Sequence, residues 1–333
     1  MYKEDTGLLE TLVVVTQINM NIGILSFVDS QKKLAAGTKS IIKIAKERGH
    51  KVKVFYSPKV GLVFGNGKTL TYMGKALDPN KYDVIVVRPG FAQEPSIHAS
   101  VIKQFQLAGF YVLNGYIGVF RAKNKIRTLQ MLDHFGVPVP KTLVTRDAAT
   151  LEDAATEFKF PVIIKVIFGT HGRGVFIAES KRSLKPIVEY LVAKEKGPIS
   201  LQEYIREAKG QDLRVFVLGK KIVATMERVA KGGEFRANFH LGGSVGVADL
   251  SKEEKKIARK ATQVLGLDIA GVDILRTNRG PKVIEVNSNP GLEGITKASG
   301  VNVAEKIVDF IEHRVEKYGT IRKKPLPKSM MKE

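Results

Sequence analysis

The sequence predicts an α/β and α+β chain in which an open parallel-sheet domain precedes a strand-rich, antiparallel half. Three observations carry this. Over residues 20–115 apolar strand runs alternate with stretches of helical spacing, the order that builds a parallel sheet with crossover helices. Residues 83–87 (DVIVV) form a nearly continuous apolar run, as expected of a strand buried on both faces. Beyond Pro140 strand runs follow one another across short turns such as Gly219-Lys220-Lys221 and Thr277-Asn278-Arg279-Gly280, which points to antiparallel hairpins.

Taken in order, residues 21–27 read as a short apolar strand. Leu34, Thr38, Ile41, Ile42 and Ala45 recur at helical spacing, and Gly49 follows as a left-handed stop. Val52, Val54 and Tyr56 alternate as a half-exposed strand does. Ile97, Val101, Ile102 and Phe105 give a second helix closed by Gly109, and residues 111–113 a further strand. The spacing of Ile126, Leu129 and Leu132 predicts a helix over about 124–135, ended by Gly136 and Pro138. Strands are then expected at 162–167, 175–178, 200–205, 213–218, 222–228, 270–276 and 282–287. Ser251 and Glu254 form a capping box opening a helix that runs to Gly266. A last helix covers about 303–318, and the basic tail after it is expected to be disordered.

Composition narrows the function classes. At 333 residues the chain has room for about two domains of ~150 residues. It has no cysteine, which removes disulfides, thiolate metal sites and a cysteine nucleophile together. Its apolar and charged fractions are those of a globular protein, not a disordered one. The net charge of +21 favours anionic partners, nucleotides and nucleic acid among them. The apolar stretch 12–15 is broken by Thr16, Gln17 and Asn19, well short of the ~20 residues a membrane span needs. No membrane association and a cytoplasmic location are expected, since Glu4 and Asp5 stand where a secretory leader would be basic.

The most informative cluster is Asp273, Glu285 and Asn287. Glu285 and Asn287 lie two apart on a strand and so share a face, and a hairpin with the preceding strand sets Asp273 opposite them. Two carboxylates and an amide oxygen are hard ligands that suit Mg²⁺ or Mn²⁺; the alternative is three solvated residues on an exposed face. A second cluster is the loop Gly169-Thr170-His171-Gly172-Arg173-Gly174, whose small residues let backbone N–H groups approach phosphates. It is neither a Walker loop nor a dinucleotide fingerprint, and by itself it is equally a plain turn. Lys165 interrupts an apolar strand and calls for an anion; Lys125 is either a second phosphate contact or a solvated helix-start cation. Glu203, Tyr204 and Ile205 form an extended segment able to face an adenine edge, with Asp212 as a candidate acceptor for ribose hydroxyls, or else an ordinary strand and turn.

These pieces occur together and in one order. The segments QEYIREAKGQDLRVFVLG (202–219), GGEFRANFHLGG (232–243) and AGVDILRTNRGPKVIEVNSNPGLEGI (270–295), with the loop GTHGRGV (169–175), resemble the ATP-grasp superfamily and within it the RimK-type α-L-glutamate ligases, over about residues 20–318. The resemblance implies an ATP-grasp fold with an N-terminal open parallel-sheet (pre-ATP-grasp) domain. Its expected boundaries are an extension at 1–19, the N-terminal domain at 20–115, a central subdomain at 116–200, a C-terminal subdomain at 201–318 and a tail at 319–333. It implies that Lys125, Lys165 and the loop residues Gly169, Thr170, His171, Gly172 and Gly174 contact ATP phosphates. Glu203, Tyr204, Ile205 and Asp212 would hold adenine and ribose, and Arg236, Ala237 and Asn238 would line the nucleotide end of the cleft. Asp273, Glu285 and Asn287 would bind two divalent ions, and the loop 289–292 would shape the acceptor site. Lys165, Arg236 and Arg228 are the expected catalytic cations. Phe168, His171, Arg173, Ala237 and Thr296 depart from the commoner pattern and leave acceptor choice open.

The implied activity is an ATP-dependent, ADP-forming acid–amino-acid ligase working through an acyl phosphate. Its expected substrates are L-glutamate and an acidic or carboxylate-terminated acceptor, such as the C-terminus of a protein of the ribosomal type, or free oligoglutamate. The alternatives are a ligase of a small-molecule acceptor, such as a cofactor or an amino-group carrier, and a basic nucleic-acid-binding protein, for which no motif is present. The oligomeric state stays open, a homo-oligomer included.

Overall fold

The computed structural model describes residues 19–65, 70–90, 95–167, 174–195, 197–230 and 243–322. Within the N-terminal part, β1 (Asn21–Ser26), α1 (Ala36–Glu47), β2 (Lys51–Tyr56), a small sheet of β3 (Val60–Leu62), β4 (Leu70–Tyr72) and β5 (Lys75–Ala76), then β6 (Val84–Arg88), α2 (Pro95–Leu107) and β7 (Val112–Leu113) follow in turn. The strands β2-β1-β6-β7 form one sheet, and each pairing in it is parallel. Every residue of β6 is buried, which is why that segment reads as an uninterrupted apolar run. The little sheet β3-β4-β5 is not expected from the sequence: its strands are two or three residues long, too short to establish a period.

Two helices, α3 (Tyr116–Ala122) and α4 (Lys125–His134), lead into the second half. The Asn124 side chain caps α4 by accepting from Ile126 N and Arg127 N. A second four-stranded sheet, in the order β10-β9-β11-β8, comprises β8 (Thr142–Thr145), β9 (Val162–Val166), β10 (Val175–Ala178) and β11 (Ile199–Glu203). The helices α5 (Ala148–Phe158) and α6 (Lys181–Glu195) cover one of its faces and bury Leu151, Ala155, Leu184 and Val188 against Val162, Ile164 and Leu201. Strands are expected to dominate here from the sequence, and both helices are additional to that expectation. Leu151, Ala155 and Phe158 do recur at helical spacing, but alanine makes that period faint, and Pro186 inside α6 reads as a breaker.

The third sheet, β14-β13-β12-β15-β16, is antiparallel throughout. It consists of β12 (Gln211–Leu218), β13 (Lys221–Val229), β14 (Ser244–Gly246), β15 (Ile269–Leu275) and β16 (Lys282–Asn287). Between β14 and β15 runs α7 (Lys252–Leu265), with the capping box of Ser251 and Glu254 in place and Gly266 left-handed at its end. The chain closes with α8 (Glu293–Ser299) and α9 (Val303–Arg322). Strand alternation divides this sheet cleanly. Leu213, Val215, Val217, Ala270, Val272, Ile274, Val283 and Val286 pack under α7. On the other face Phe216, Ala224 and Met226 join Ile22, Ile24, Val84 and α9 residues in one core shared with the N-terminal sheet, and further along that face the side chains become charged.

Asn114 ties the two halves together. Its side chain is fully buried and donates to Ile269 O (2.8 Å) and Ser288 O (3.0 Å) while accepting from Asp268 N (2.7 Å) and Ile269 N (2.8 Å). A buried amide with its capacity filled in this way fixes the end of β7 to the start of β15 and the end of β16. Among the described residues no helix is long and apolar enough to cross a membrane.

Candidate active site

The charged end of the third sheet is built by register. Asp212 pairs with Arg228 across β12 and β13, Arg214 with Asp273 across β12 and β15, and Asp273 with Glu285 across β15 and β16. Period two therefore lines these side chains up on one face, together with Asn287 beside Glu285. The arrangement expected from the hairpin is the one found. Gly271 makes room for it: a Cβ there would lie 2.7 Å from Pro290 Cβ and 3.2 Å from Arg214 Cδ, so the loop after β16 folds back over the sheet only above a glycine.

The carboxylates differ in environment. Asp273 is 2% exposed; Arg214 grips both of its oxygens, and Arg228 Nη2 reaches Oδ2 at 2.9 Å. Burial disfavours its charge, but the two guanidiniums outweigh burial and hold its pKa below the ordinary aspartate value. Asp212 accepts from Arg228 at 2.5 and 2.8 Å, yet burial, reinforced by the Asp273 charge, pushes its pKa up to about 6. Burial also works against the Arg228 charge, and Asp273 with Asp212 more than restores it. Glu285, by contrast, is exposed.

Facing Glu285 are lysines of the neighbouring elements. Lys165 lies on β9, on the face away from α5 and α6; its Nζ donates to Gln202 Oε1 at 2.6 Å, and Gln202 is oriented by Thr142 Oγ1 at 2.9 Å. Lys125, in the first turn of α4, donates to Ile167 O at 3.1 Å, and Lys123 to Gly90 O at 3.1 Å. Burial pushes the Lys165 ammonium down to about 8, with Glu285 partly opposing and Lys125 adding to the fall. Lys123 is likewise pushed to about 8 by burial, with Arg88 and Lys125 adding to the fall and Glu285 opposing it. Burial lowers Lys125 too, against the same Glu285 charge. Three half-buried ammonium groups held below their usual range around one exposed carboxylate make a site prepared for added negative charge.

The remaining expected residues are placed as follows. The Glu203 carboxylate accepts from Lys141 N (2.9 Å) and Lys282 Nζ and lies 3.7 Å from Arg279, so it staples the second sheet to the third, leaving the backbone of Tyr204 and Ile205 as the part of that segment able to face a base. Gly174 is left-handed (φ +78°), and a Cβ on it would lie 2.3 Å from Val166, so the loop between β9 and β10 ends on an obligatory glycine. Gly169, Thr170, His171, Gly172, Arg236, Ala237 and Asn238 lie outside the described residues, as do the stretch 12–15 and the tail from 323. Arg228, expected as a catalytic cation, has its guanidinium committed to Asp212 and Asp273. Arg214, Lys123 and Arg88 were not singled out from the sequence. Arg214 was legible, since it alternates with Asp212 on a strand; Arg88 closes an otherwise apolar run.

Asp273, Glu285 and Asn287 fit a divalent cation. They are hard oxygen donors on adjacent strands of one face, with the Asn287 Oδ1 as the amide's ligating atom. Asp273 is already shared with two arginines, and Glu285 is the open member of the set.

Comparison with known proteins accords with this architecture. Residues 20–119 match the RimK PreATP-grasp domain, and residues 122–311 match the RimK-like ATP-grasp domain. A probable alpha-L-glutamate ligase 2 of Shewanella frigidimarina is 40% identical over 300 residues, covering 90% of this chain and 98% of its own. A probable alpha-L-glutamate ligase of Methanococcoides burtonii is 39% identical over 288 residues, covering 85% of this chain and 93% of its own. Among solved structures, the ATP-grasp ligase PsnB complexed with a minimal precursor superposes with a TM-score of 0.68 at 19% identity, over 89% of this chain and 99% of that one. D-alanine–D-alanine ligase from Bacillus anthracis, complexed with ATP, gives 0.63 at 18%, over 91% and 99%. These last two share the fold. With two adjoining family matches over most of its length and relatives near 40% identity, the chain belongs to the RimK-like ATP-grasp family of ATP-dependent ligases.

Proposed function

We propose that this ligase joins L-glutamate to a peptide or protein carboxylate through an acyl phosphate, with the C-terminus of a protein as acceptor. The observation that carries the reading is the exposed Glu285 carboxylate on the third sheet, met by Lys123, Lys125 and Lys165 from the elements facing it. The relatives described as alpha-L-glutamate ligases favour glutamate, and the precursor-bound PsnB favours a peptide acceptor.

Amide formation requires a carboxylate oxygen to become a leaving group. The acceptor carboxylate attacks the γ-phosphorus of ATP; the bond from that phosphorus to the β,γ-bridging oxygen breaks, and ADP departs. The glutamate amine then attacks the acyl carbon, the acyl C–O bond breaks, phosphate leaves, and the amine proton passes to solvent. Carboxylate and triphosphate repel one another, so the site must supply positive charge where they meet. Lys165 and Lys125 do so from the second sheet and α4, and Arg236 would be the further cation that the resemblance implies. Arg228 and Arg214 act through Asp273, holding it ionised and in register. Mg²⁺ or Mn²⁺, two ions on Asp273, Glu285 and Asn287, would supply further neutralisation of phosphate charge. The backbone of Tyr204 and Ile205 would face the adenine edge, and Asp212, already shared with Arg228, would meet the ribose only with whatever acceptor capacity that pair leaves.

The test is product analysis with ATP, Mg²⁺, glutamate and candidate acceptors. ADP and phosphate are expected, with acceptors lengthened in steps of one glutamyl residue and a hydroxamate when hydroxylamine replaces the amine. AMP as the main nucleotide product would overturn the acyl-phosphate route. Extension of a pterin, a flavin or free glutamate in preference to peptide tails would move the acceptor to a small molecule.

A further inference from the structure

The N-terminal sheet has a topological switch point that the reaction as described does not use. In the strand order β2-β1-β6-β7, β1 leaves through α1 towards β2 on one side, and β6 leaves through α2 towards β7 on the other. Diverging connections of this kind open a ligand-sized gap beyond the carboxyl ends of the two central strands. Ser26 and Arg88 are the last residues of β1 and β6 and pair with one another, so Arg88 stands at that gap. It is 5% exposed. Among the described residues its guanidinium makes one hydrogen bond, Nε to Thr38 Oγ1 at 3.2 Å in the first turn of α1, and no carboxylate pairs with it. Arg228, the other arginine buried to this degree among the described residues, holds two carboxylates. A buried guanidinium lacking such a partner is costly unless an anion arrives from outside.

A second, independent observation lies at the same gap. Four buried side-chain polar atoms have no partner among the described residues: His98 Nδ1, Asn287 Nδ2, Ser288 Oγ and Asn289 Oδ1. His98 packs its ring on Phe27, just past β1, with centroids 4.1 Å apart. Asn289 donates through Nδ2 to Pro89 O at 2.9 Å, one residue beyond Arg88, and Ser288 precedes it. Folded proteins leave few such atoms unsatisfied. Three of the four can accept a hydrogen bond: a hydroxyl, an amide oxygen and an imidazole nitrogen. Burial, with Lys123 adding to it, pushes the His98 pKa down to about 4, so this imidazole stays neutral at physiological pH.

A guanidinium without an anion, with Lys123 beside it and acceptors without donors around it, complements the carboxylate and amine of an α-amino acid. We propose that this gap binds the amino-acid co-substrate, with Arg88 taking its carboxylate and the Ser288, Asn289 and His98 acceptors facing its amine. Lys123 connects this subsite to the reaction centre, because its charge is felt by both Arg88 and Glu285. The assignment rests on the ligase reading above for the identity of the amino acid; the subsite itself does not.

The test compares the full chain with Arg88→Gln and Arg88→Lys. In steady state with ATP and an acceptor, Arg88→Gln should raise the KM for glutamate by about tenfold to a hundredfold, the loss of a charged hydrogen-bonded pair, and leave the KM for ATP unchanged. It should also lose the preference of the native chain for glutamate over its α-carboxamide. Arg88→Lys keeps the charge but not the fork and should fall between. Thr38→Val, which removes only the acceptor orienting Arg88, should raise the glutamate KM less than Arg88→Gln does. It stands in for Arg88→Gln should that variant melt early. An unchanged glutamate KM with intact amide discrimination in folded variants would overturn the proposal. A measurement without turnover separates the two claims: melting temperature with MgADP present, with and without glutamate. A glutamate shift in the native chain that is absent in Arg88→Gln supports the subsite even if ADP release proves independent of glutamate, an outcome that would sink the ligase reading alone. No shift in the native chain, or an equal shift in the variant, would sink the subsite.

Discussion

Asp273 and Glu285 face each other in register across β15 and β16, yet one is buried between two arginines and the other is open to solvent. Adjacent carboxylates on one sheet face are thereby given different work. Asp273 is held charged by protein groups, and Glu285 is left for whatever enters the cleft.

Glu285→Ala should therefore abolish turnover without unfolding the chain. The residue is exposed and carries no structural ion pair among the described residues, so the melting temperature should stay within the change expected of a surface substitution, roughly ±0.5 kcal/mol. ADP release and melting are to be measured on the same sample. Retained turnover with a normal melt would remove Glu285 from the site.

Asp273→Ala should behave differently, losing activity and stability together. It leaves Arg214 and half of the Arg228 interaction without their carboxylate, and breaking one partner of a buried pair costs on the order of 3 kcal/mol. Denaturant unfolding should show that loss, whereas Asp273→Asn, which keeps two acceptor or donor positions, should recover part of it. A stability equal to the native chain in Asp273→Ala would mean that the Arg214 and Arg228 contacts contribute nothing.

Binding of ATP should take up protons at pH 8–9. Lys165 is held at about 8 by burial, and added phosphate charge raises it, so an ammonium that is partly neutral in the free protein becomes fully charged in the complex. The sign for folding follows the same logic. Between about 8 and the ordinary lysine value the unfolded chain binds more protons, so the free protein gains stability as pH rises through that window, and the penalty is full below it. Calorimetry in buffers of different ionisation enthalpy should detect the uptake, reduced in Lys165→Met. Identical uptake in the variant would assign the proton elsewhere.

A chain beginning at Met20 should keep the melting temperature and activity of the whole. Met20 is the first buried core residue among the described residues, packed with Ile22 and Val84, with its backbone bonded to His50 Nδ1 and Lys51 N. The matched family domain also starts at residue 20. Loss of soluble protein on removing 1–19 would place part of that segment in the core.

Much of the site was legible because strands have a period of two. The alternation in residues 270–287 put Glu285 and Asn287 on one face, and the hairpin turn at 277–280 set Asp273 opposite them, with nothing needed from the rest of the chain. Helix ends were equally local: Ser251 with Glu254, Asn124 and Gly266 cap by contacts within four residues. Local pattern thus suffices for the parallel-then-antiparallel fold class, the hairpin that gathers the oxygen ligands and the absence of cysteine chemistry. It takes the folded chain to show that Arg228 and Arg214 serve Asp273, that Glu203 ties two sheets together through Lys282, and that Arg88, Lys123 and Ser288–Asn289 meet at one gap. Those relationships join residues up to 200 positions apart, and the electrostatics that distinguish a spent charge from a waiting one depend on which groups burial brings together, which no local period encodes.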